Sequence, residues 1–104
     1  MPMQSKELVQ LDLNNPVFQK HLFGLQKKEQ SAVLATLRKI SNMTWQKVYK
    51  ESGLNWEVVS SRVGPRGARL YTIRLGKAFR AIAYREKAWM RILSLHPDHD
   101  TAYD

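Results

Sequence analysis

The stretch that decides the fold is RLYTIRLGKAFRAIAYREKAWMRILSL, residues 69–95. It divides into three runs, 70–75, 79–84 and 88–95, in which apolar side chains alternate with arginine or other polar ones. Alternation with a period of two is typical of β-strands, because successive side chains point to opposite faces of the sheet. The stretch therefore predicts three antiparallel strands with one apolar face and one cationic face.

Two short connections set the predicted register of these strands. The first has three residues, 76–78, and the second is a two-residue turn at 86–87. The predicted pairs are Leu75 with Phe79, Ile73 with Ala81 and Tyr71 with Ala83 across the first connection, and Tyr84 with Trp89, Ile82 with Arg91 and Arg80 with Leu93 across the second. A slip of one residue would turn the arginines into the core, where an unpaired charge is costly.

This register assigns a face to every side chain. The predicted inner face consists of Tyr71, Ile73, Leu75, Phe79, Ala81, Ala83, Met90 and Ile92. The predicted outer face consists of Thr72, Arg74, Arg80, Ile82, Tyr84, Trp89, Arg91 and Leu93. The inner set can pack on helices, whereas the outer set can hold a negatively charged ligand.

Composition predicts one domain, residues 1–104, with an anionic partner. The chain has 104 residues, of which 43% are hydrophobic, and this is enough for a modest core. A net charge of +8 favours nucleic acid or an acidic protein, and an anionic membrane is the least favoured partner. Without cysteine, a long apolar run or a signal-like start, we expect a soluble cytoplasmic protein with no disulfide and no membrane contact.

The N-terminal part predicts an edge strand followed by a helical hairpin. Residues 8–13 alternate like a strand, and Asn14-Asn15-Pro16 supplies a helix cap with proline at the first helical position. A polar break at 26–28 leads to a second helix over about 29–40. The helical stripes are Phe18, Leu22 and Leu25, then Val33, Leu34, Leu37 and Ile40; a short capped helix at 44–49 and a strand at 56–60 follow.

Three of these stretches, taken in order, resemble the RelE/ParE superfamily of bacterial type II toxin–antitoxin systems. They are the helical hairpin LDLNNPVFQKHLFGLQKKEQSAVLATLRKIS, the strand FRAIAY and the terminal LSLHPDHDTAYD. The resemblance implies an α+β, RelE-like fold in which an N-terminal strand and helical hairpin pack on one face of a twisted, mainly antiparallel sheet. It also implies a cognate antitoxin as partner and, for the RelE-like branch, cleavage of mRNA on the ribosome.

The resemblance carries over to individual residues of this chain. Arg80 matches an arginine that contacts the scissile phosphate, and Tyr103 matches a C-terminal tyrosine near the attacking 2′-hydroxyl. Lys47 and Lys50 match, by region, a segment in which several members carry active-site lysines. The chain departs from the family where arginine or lysine is usual near the C-terminus, because its tail reads His96-Pro97-Asp98-His99.

The residues themselves offer a chemistry for RNA cleavage. Arg74, Arg80 and Arg91 can hold phosphate oxygens, since guanidinium groups match them bidentately. His96 and His99 can act as acid or base near neutral pH, and Tyr103 can assist where cations lower its pKa. On the same outer face, Tyr84 and Trp89 can stack on bases.

Other interpretations of these residues stay open. The arginines also fit a solvated sheet face, the lysines a solvated helix face, and the tail a structural turn. The tail offers two imidazoles and two carboxylates, but proline and the short span make a closed site awkward, so we expect neither metal nor cofactor. Two alternatives to an endoribonuclease remain, namely a ParE-type inhibitor of DNA gyrase and an inactive binding member of the fold.

Overall fold

The computed structural model describes residues 7–97, which have the mixed α+β architecture that the sequence predicted. The elements in chain order are β1 (Gln10–Asp12), α1 (Pro16–Phe23), α2 (Lys27–Ile40), α3 (Trp45–Lys50), β2 (Glu57–Val63), a 3₁₀ turn (Pro65–Gly67), β3 (Arg69–Arg74), β4 (Phe79–Glu86) and β5 (Trp89–Pro97). The five strands form one sheet in the order β1-β5-β4-β3-β2. Only the β1–β5 pair is parallel within this sheet. In the described part of the chain, no helix has the length and apolar character needed to cross a bilayer.

The helical hairpin begins where the sequence predicts it. The Asn15 side chain caps α1 by accepting hydrogen bonds from the backbone N–H groups of Val17 (2.8 Å) and Phe18 (3.4 Å), and Pro16 occupies the first turn. Helix α2 begins at Lys27, slightly earlier than predicted. There the Glu29 carboxylate accepts a hydrogen bond from the Gln26 N–H (3.3 Å), so the polar break caps the second helix.

The core lies between the helices and the inner face of the sheet. Its helical side chains come from α1, α2 and α3, and its strand side chains include six of the eight predicted ones; the buried set includes Phe18, Leu22, Val33, Leu37, Ile40, Trp45, Val48, Ile73, Leu75, Ala81, Ala83, Met90 and Ile92. The other two predicted residues, Tyr71 and Phe79, are half-buried, and Leu95, which was not predicted, is buried in the core. The prediction is wrong for one residue of the apolar stripe on α2, because Leu34 is 44% exposed. The side chains of Val33, Leu37 and Ile40 face the sheet, and Leu34 is turned about 100° from Val33 around the helix axis.

The predicted register is confirmed for β3–β4 and is wrong for β4–β5. Ile73 pairs with Ala81 and Tyr71 with Ala83, as the three-residue connection requires. At the second turn, however, β4 continues through Glu86, which pairs with Trp89. Two residues remain in the turn, Lys87 and Ala88, and Lys87 adopts a left-handed backbone conformation (φ 56°). The turn therefore lies one residue later than predicted. As a result, each β4 residue pairs with a β5 residue two positions further along, and the side chains stay on the predicted faces.

A β-bulge then moves the end of β5 by one more residue. The pairing passes from Ala83↔Ile92 to Ile82↔Ser94, so Leu93 is the additional residue. Arg80, which was predicted to pair with Leu93, instead pairs with His96. The sequence analysis missed the bulge because Ile92 and Leu93, two apolar residues in succession, fit either face of the sheet.

The outer face is not the uniformly exposed cationic surface that we predicted. Val59, Leu70 and Ile82 form a second, smaller buried cluster there, against which Tyr84 and Leu93 pack. Both Thr72 and Arg80 are also buried. The outer face therefore has its own apolar centre, and its polar groups are grouped at the two ends of β4.

Candidate functional site

The β4–β5 register places Arg80 and His96 directly opposite each other on the outer face. Arg80 stands near the beginning of β4 and His96 near the end of β5, so both lie at the same end of the sheet. The bulge at Leu93 is the reason that His96 faces outward.

Arg80 is held by neutral oxygens and stands near one carboxylate. Its Nη2 donates hydrogen bonds to the Thr72 hydroxyl (2.7 Å) and the Asn55 carbonyl (3.4 Å), and Glu57 Oε1 lies 3.8 Å away. The arginine is 4% exposed, and Thr72 is fully buried. A guanidinium fixed in this way is preorganised, because its orientation is set before any ligand arrives.

The His96 imidazole is half-buried beside a hydroxyl. Its Nε2 lies 2.9 Å from Ser94 Oγ, which the bulge has brought to the same side of the strand. Burial lowers the pKa of His96 below its ordinary value of 6.5, and the charges of His21 and Arg62 lower it further. The ring is therefore mainly neutral at pH 7 and can accept a proton.

A second histidine, His21, meets His96 at the edge of the sheet. It lies in the last turn of α1, and its Nδ1 accepts a hydrogen bond from the backbone N–H of Leu95 (3.1 Å). The two imidazole rings are in edge-to-face contact, with centroids 5.9 Å apart. Helix α1 is thereby joined to the strand that carries His96.

Arg91, predicted to bind phosphate, is paired with two carboxylates at the other end of the outer face. Its Nη1 donates to Asp12 Oδ2 (2.6 Å), and its Nε donates to Glu86 Oε1 (2.7 Å). The hydrogen bond and charge of Arg91 lower the pKa of Glu86, and these two carboxylates raise the pKa of Arg91, Glu86 first. The Asn14 N–H, ahead of Arg91, lowers the pKa of Asp12. The positive charge of Arg91 is therefore already compensated.

The two predicted base-stacking residues, Trp89 and Tyr84, lie near Arg91 rather than near Arg80. Trp89 is 39% exposed, and the Arg91 guanidinium lies 5.3 Å from its ring centroid. Tyr84 is half-buried, pairs with Arg91 across the strands and packs against the outer cluster. Arg74 is exposed and pairs with Arg80 across β3–β4. Of the two predicted outer arginines besides Arg80, only Arg74 lies next to it.

The predicted lysines are carried on the other side of the sheet. Trp45 and Val48 anchor α3 in the inner core, so the helix that bears Lys47 and Lys50 packs against the inner face. Lys47 Nζ lies 3.6 Å from Glu51 Oε1. The structure thus separates their helix from Arg80 by the thickness of the sheet.

Most of the predicted site in the C-terminal tail lies outside the described residues. This holds for Asp98, His99 and Tyr103, whereas His96 is described. Among residues 7–97 no group of three or more histidine, aspartate or glutamate side chains comes together in a way that could hold a metal ion.

Two residues of this site were missed by the sequence analysis. Arg62 was missed because β2 was ended at Ser60, whereas the strand continues to Val63 after an irregularity in its pairing. His21 was missed because it lies in a helix. The sequence did contain an indication that His21 is not fully exposed. His21 stands three residues after the buried Phe18 and four before the half-buried Leu25, at the border of the apolar stripe of α1.

One comparison with solved structures found a similar fold. A chain in the crystal structure of the archaeal RelE–RelB complex from Pyrococcus horikoshii OT3 matches 88% of this chain over 94% of its own length, at 21% identity and a TM-score of 0.56. Searches of protein-family models and of curated proteins found no match. At this level of identity the likeness concerns the fold, and it confirms the RelE-like α+β fold that the sequence predicted.

Proposed function

We propose that the protein is the toxin of a toxin–antitoxin system and cleaves mRNA on the ribosome. The observation that carries the proposal is the pairing of Arg80 with His96 on the outer face, with a guanidinium and a neutral imidazole at one end of a basic protein. The likeness to a RelE–RelB complex supports the choice of class. The charge of +8 supports an RNA substrate and an acidic antitoxin in the cytoplasm.

In the proposed reaction, the substrate supplies its own nucleophile. His96 accepts the proton of a 2′-hydroxyl, whose oxygen attacks the adjacent phosphorus, and the bond from phosphorus to the 5′-oxygen breaks. The products are a 2′,3′-cyclic phosphate and a 5′-hydroxyl, whose proton comes from a general acid. For that acid we propose His99 or Tyr103, and the reaction needs no cofactor.

Arg80 stabilises the negative charge that grows on the phosphate in this scheme. Its contacts to the Asn55 carbonyl (3.4 Å) and the Glu57 carboxylate (3.8 Å) are long, so phosphate oxygens can replace these two acceptors while the Thr72 contact remains. Arg74 and Arg62 add positive charge near this end. Trp89 and Tyr84 contribute to binding of flanking RNA by stacking on bases, beside an Arg91 that is already paired with two carboxylates. Lys47 and Lys50 contribute contacts with ribosomal RNA on the helical side.

The test is cleavage of a defined mRNA by the purified protein on translating ribosomes, read by primer extension. We expect cleavage that depends on ribosomes and is lost in Arg80→Lys, whose thermal unfolding serves as the folding control. Binding to ribosomes should weaken steeply with salt, because phosphate contacts release counterions.

A different result would assign the protein to another class. Growth arrest accompanied by DNA damage signalling and inhibited supercoiling in vitro, with intact mRNA, would replace the ribonuclease with a gyrase inhibitor. Ribosome binding without cleavage by either the parent or Arg80→Lys would leave an inactive RNA-binding member of the fold.

A further inference from the structure

Besides apolar packing, a side-chain hydrogen bond links helix α1 to the end of β5. Strand β1 pairs with β5 only through Trp89–Arg91, so it ends well before the part of β5 that carries His96. There the Leu95 N–H points away from β4 and donates a hydrogen bond to His21 Nδ1 (3.1 Å). A buried or half-buried strand N–H needs such an acceptor, and here a helix side chain supplies it where no strand does.

This hydrogen bond also determines the tautomer of His21. Because Nδ1 accepts the Leu95 N–H, the neutral ring carries its proton on Nε2. Adding a second proton at Nδ1 would replace the acceptor by a donor and break the link to β5. His21 and the end of β5 are therefore coupled through protonation.

Several charged or titratable groups surround the His96 ring. His21 faces it from α1 at 5.9 Å between centroids, the charge of Arg62 acts on it from β2, and Arg80 stands opposite on β4. Ser94 of the same strand contacts its Nε2. The charge of Arg62, and that of His21 when its ring is protonated, oppose a proton on His96.

We propose that His21 is a positioning residue for His96: it fixes the end of β5 opposite Arg80 and holds the neighbouring imidazole ready to accept a proton. The role in cleavage rests on the proposed function, whereas the link between the two histidines does not. His21 acts through His96 and Leu95, without contact to the reacting atoms.

The test uses the purified full chain without RNA. NMR titration of the three histidines, assigned with His96→Gln and His99→Gln, gives the titration midpoint of His96. His21→Gln keeps a hydrogen-bond acceptor near Leu95 but removes the imidazole whose charge lowers the pKa of His96, and we expect the His96 midpoint to rise. Lys20→Gln, which removes a charge from an exposed neighbour in α1, should leave the midpoint unchanged.

A second measurement separates the anchor from the charge. Hydrogen exchange of the Leu95 amide should stay slow in His21→Gln and become fast in His21→Leu, which has no acceptor. In cleavage assays, the acid limb of the pH–rate profile should move upward in His21→Gln by the same interval as the His96 midpoint.

The outcomes distinguish this inference from the proposed function. An unchanged His96 midpoint in His21→Gln, or unchanged Leu95 exchange in His21→Leu, would overturn the positioning role even if the protein cleaves mRNA. A raised midpoint in a protein that never cleaves mRNA would support the coupling of the histidines and overturn only the ribonuclease.

Discussion

Arg80 and Arg91 lie on the same face of the same strand pair, yet their surroundings differ. Arg91 pairs with Tyr84, which is four residues along β4 from Arg80, so the two sites are about 13 Å apart. Arg91 donates short hydrogen bonds to two carboxylates, whereas Arg80 donates a hydrogen bond of 2.7 Å to the neutral Thr72 hydroxyl.

The contrast shows why a charged face cannot be evaluated from residue types alone. At the Arg91 end, the carboxylates of Asp12 and Glu86 cancel the charge and connect β1 to the β4–β5 turn. At the other end, the Glu57 carboxylate lies 3.8 Å from Arg80, and the residue paired with Arg80 across β4–β5 is His96. We therefore assign Arg91 mainly to the architecture of the sheet edge and Arg80 to the proposed chemistry.

The largest expected effect is on cleavage in Arg80 variants. Arg80→Lys keeps the charge but loses the planar guanidinium, and we expect the cleavage rate on translating ribosomes to fall about 10²–10³-fold. Thermal unfolding and ribosome binding, measured in parallel, serve as controls for folding and affinity. Cleavage at the parent rate by a folded Arg80→Lys protein would remove the distinction between the two arginines.

The next effect concerns the hydroxyl that holds Arg80. Thr72→Val keeps the shape of the side chain but leaves a buried guanidinium donor without its shortest acceptor, so unfolding free energy should fall by about 1–3 kcal/mol. Urea denaturation measures this change. Thr36→Val is the matched control, because the Thr36 hydroxyl bonds to its own helix at an exposed position. Equal losses in the two variants would contradict a special role for Thr72.

The two ends should also respond to acid in different pH ranges. Because the folded pKa of His96 is lowered, the folded protein binds its proton less tightly, and stability should fall as pH drops below the ordinary value of 6.5. The pKa values of Asp12 and Glu86 are lowered from 3.8 and 4.5, so their contribution is complete above those values and is lost as pH falls through the lowered ones. Urea unfolding as a function of pH should show both steps.

Two variants identify the steps in that measurement. His96→Gln should remove the step nearer neutral pH and leave the acidic one, whereas Asp12→Asn should weaken the acidic step alone. Loss of the near-neutral step in Asp12→Asn would mean that the two ends of the face are coupled.

The smallest effect is expected for Arg91→Gln. Because the Arg91 charge is already compensated by two carboxylates, its removal should change the cleavage rate by less than about threefold. The same ribosome assay measures it beside Arg80→Lys. A loss comparable to that of Arg80→Lys would show that Arg91 exchanges its carboxylates for phosphate when RNA binds.

Local patterns determined the inner half of this protein. Alternation in 70–75 and 79–84, together with the three-residue connection, predicted the β3–β4 pairing and the inner face, since both depend on neighbours in sequence. The helical hairpin followed from Asn15, Pro16 and the polar break for the same reason. Leu34 is the exception, because an apolar letter beside a helical stripe does not reveal how the helix is rotated against the sheet.

The tertiary structure decided the outer half. Part of what distinguishes Arg91 from Arg80 is distant in sequence: of the two carboxylates that compensate Arg91, Glu86 is five residues away but Asp12 is 79 residues away. The acceptor for the Leu95 N–H is His21, 74 residues away. The bulge at Leu93, which turns His96 toward Arg80, follows Ile92, and two apolar residues in succession do not show which face each occupies. Periodicity reports which side of a strand a residue faces, but the partner it meets there depends on how distant segments pack, and in this protein that packing sets the charge of each arginine's surroundings.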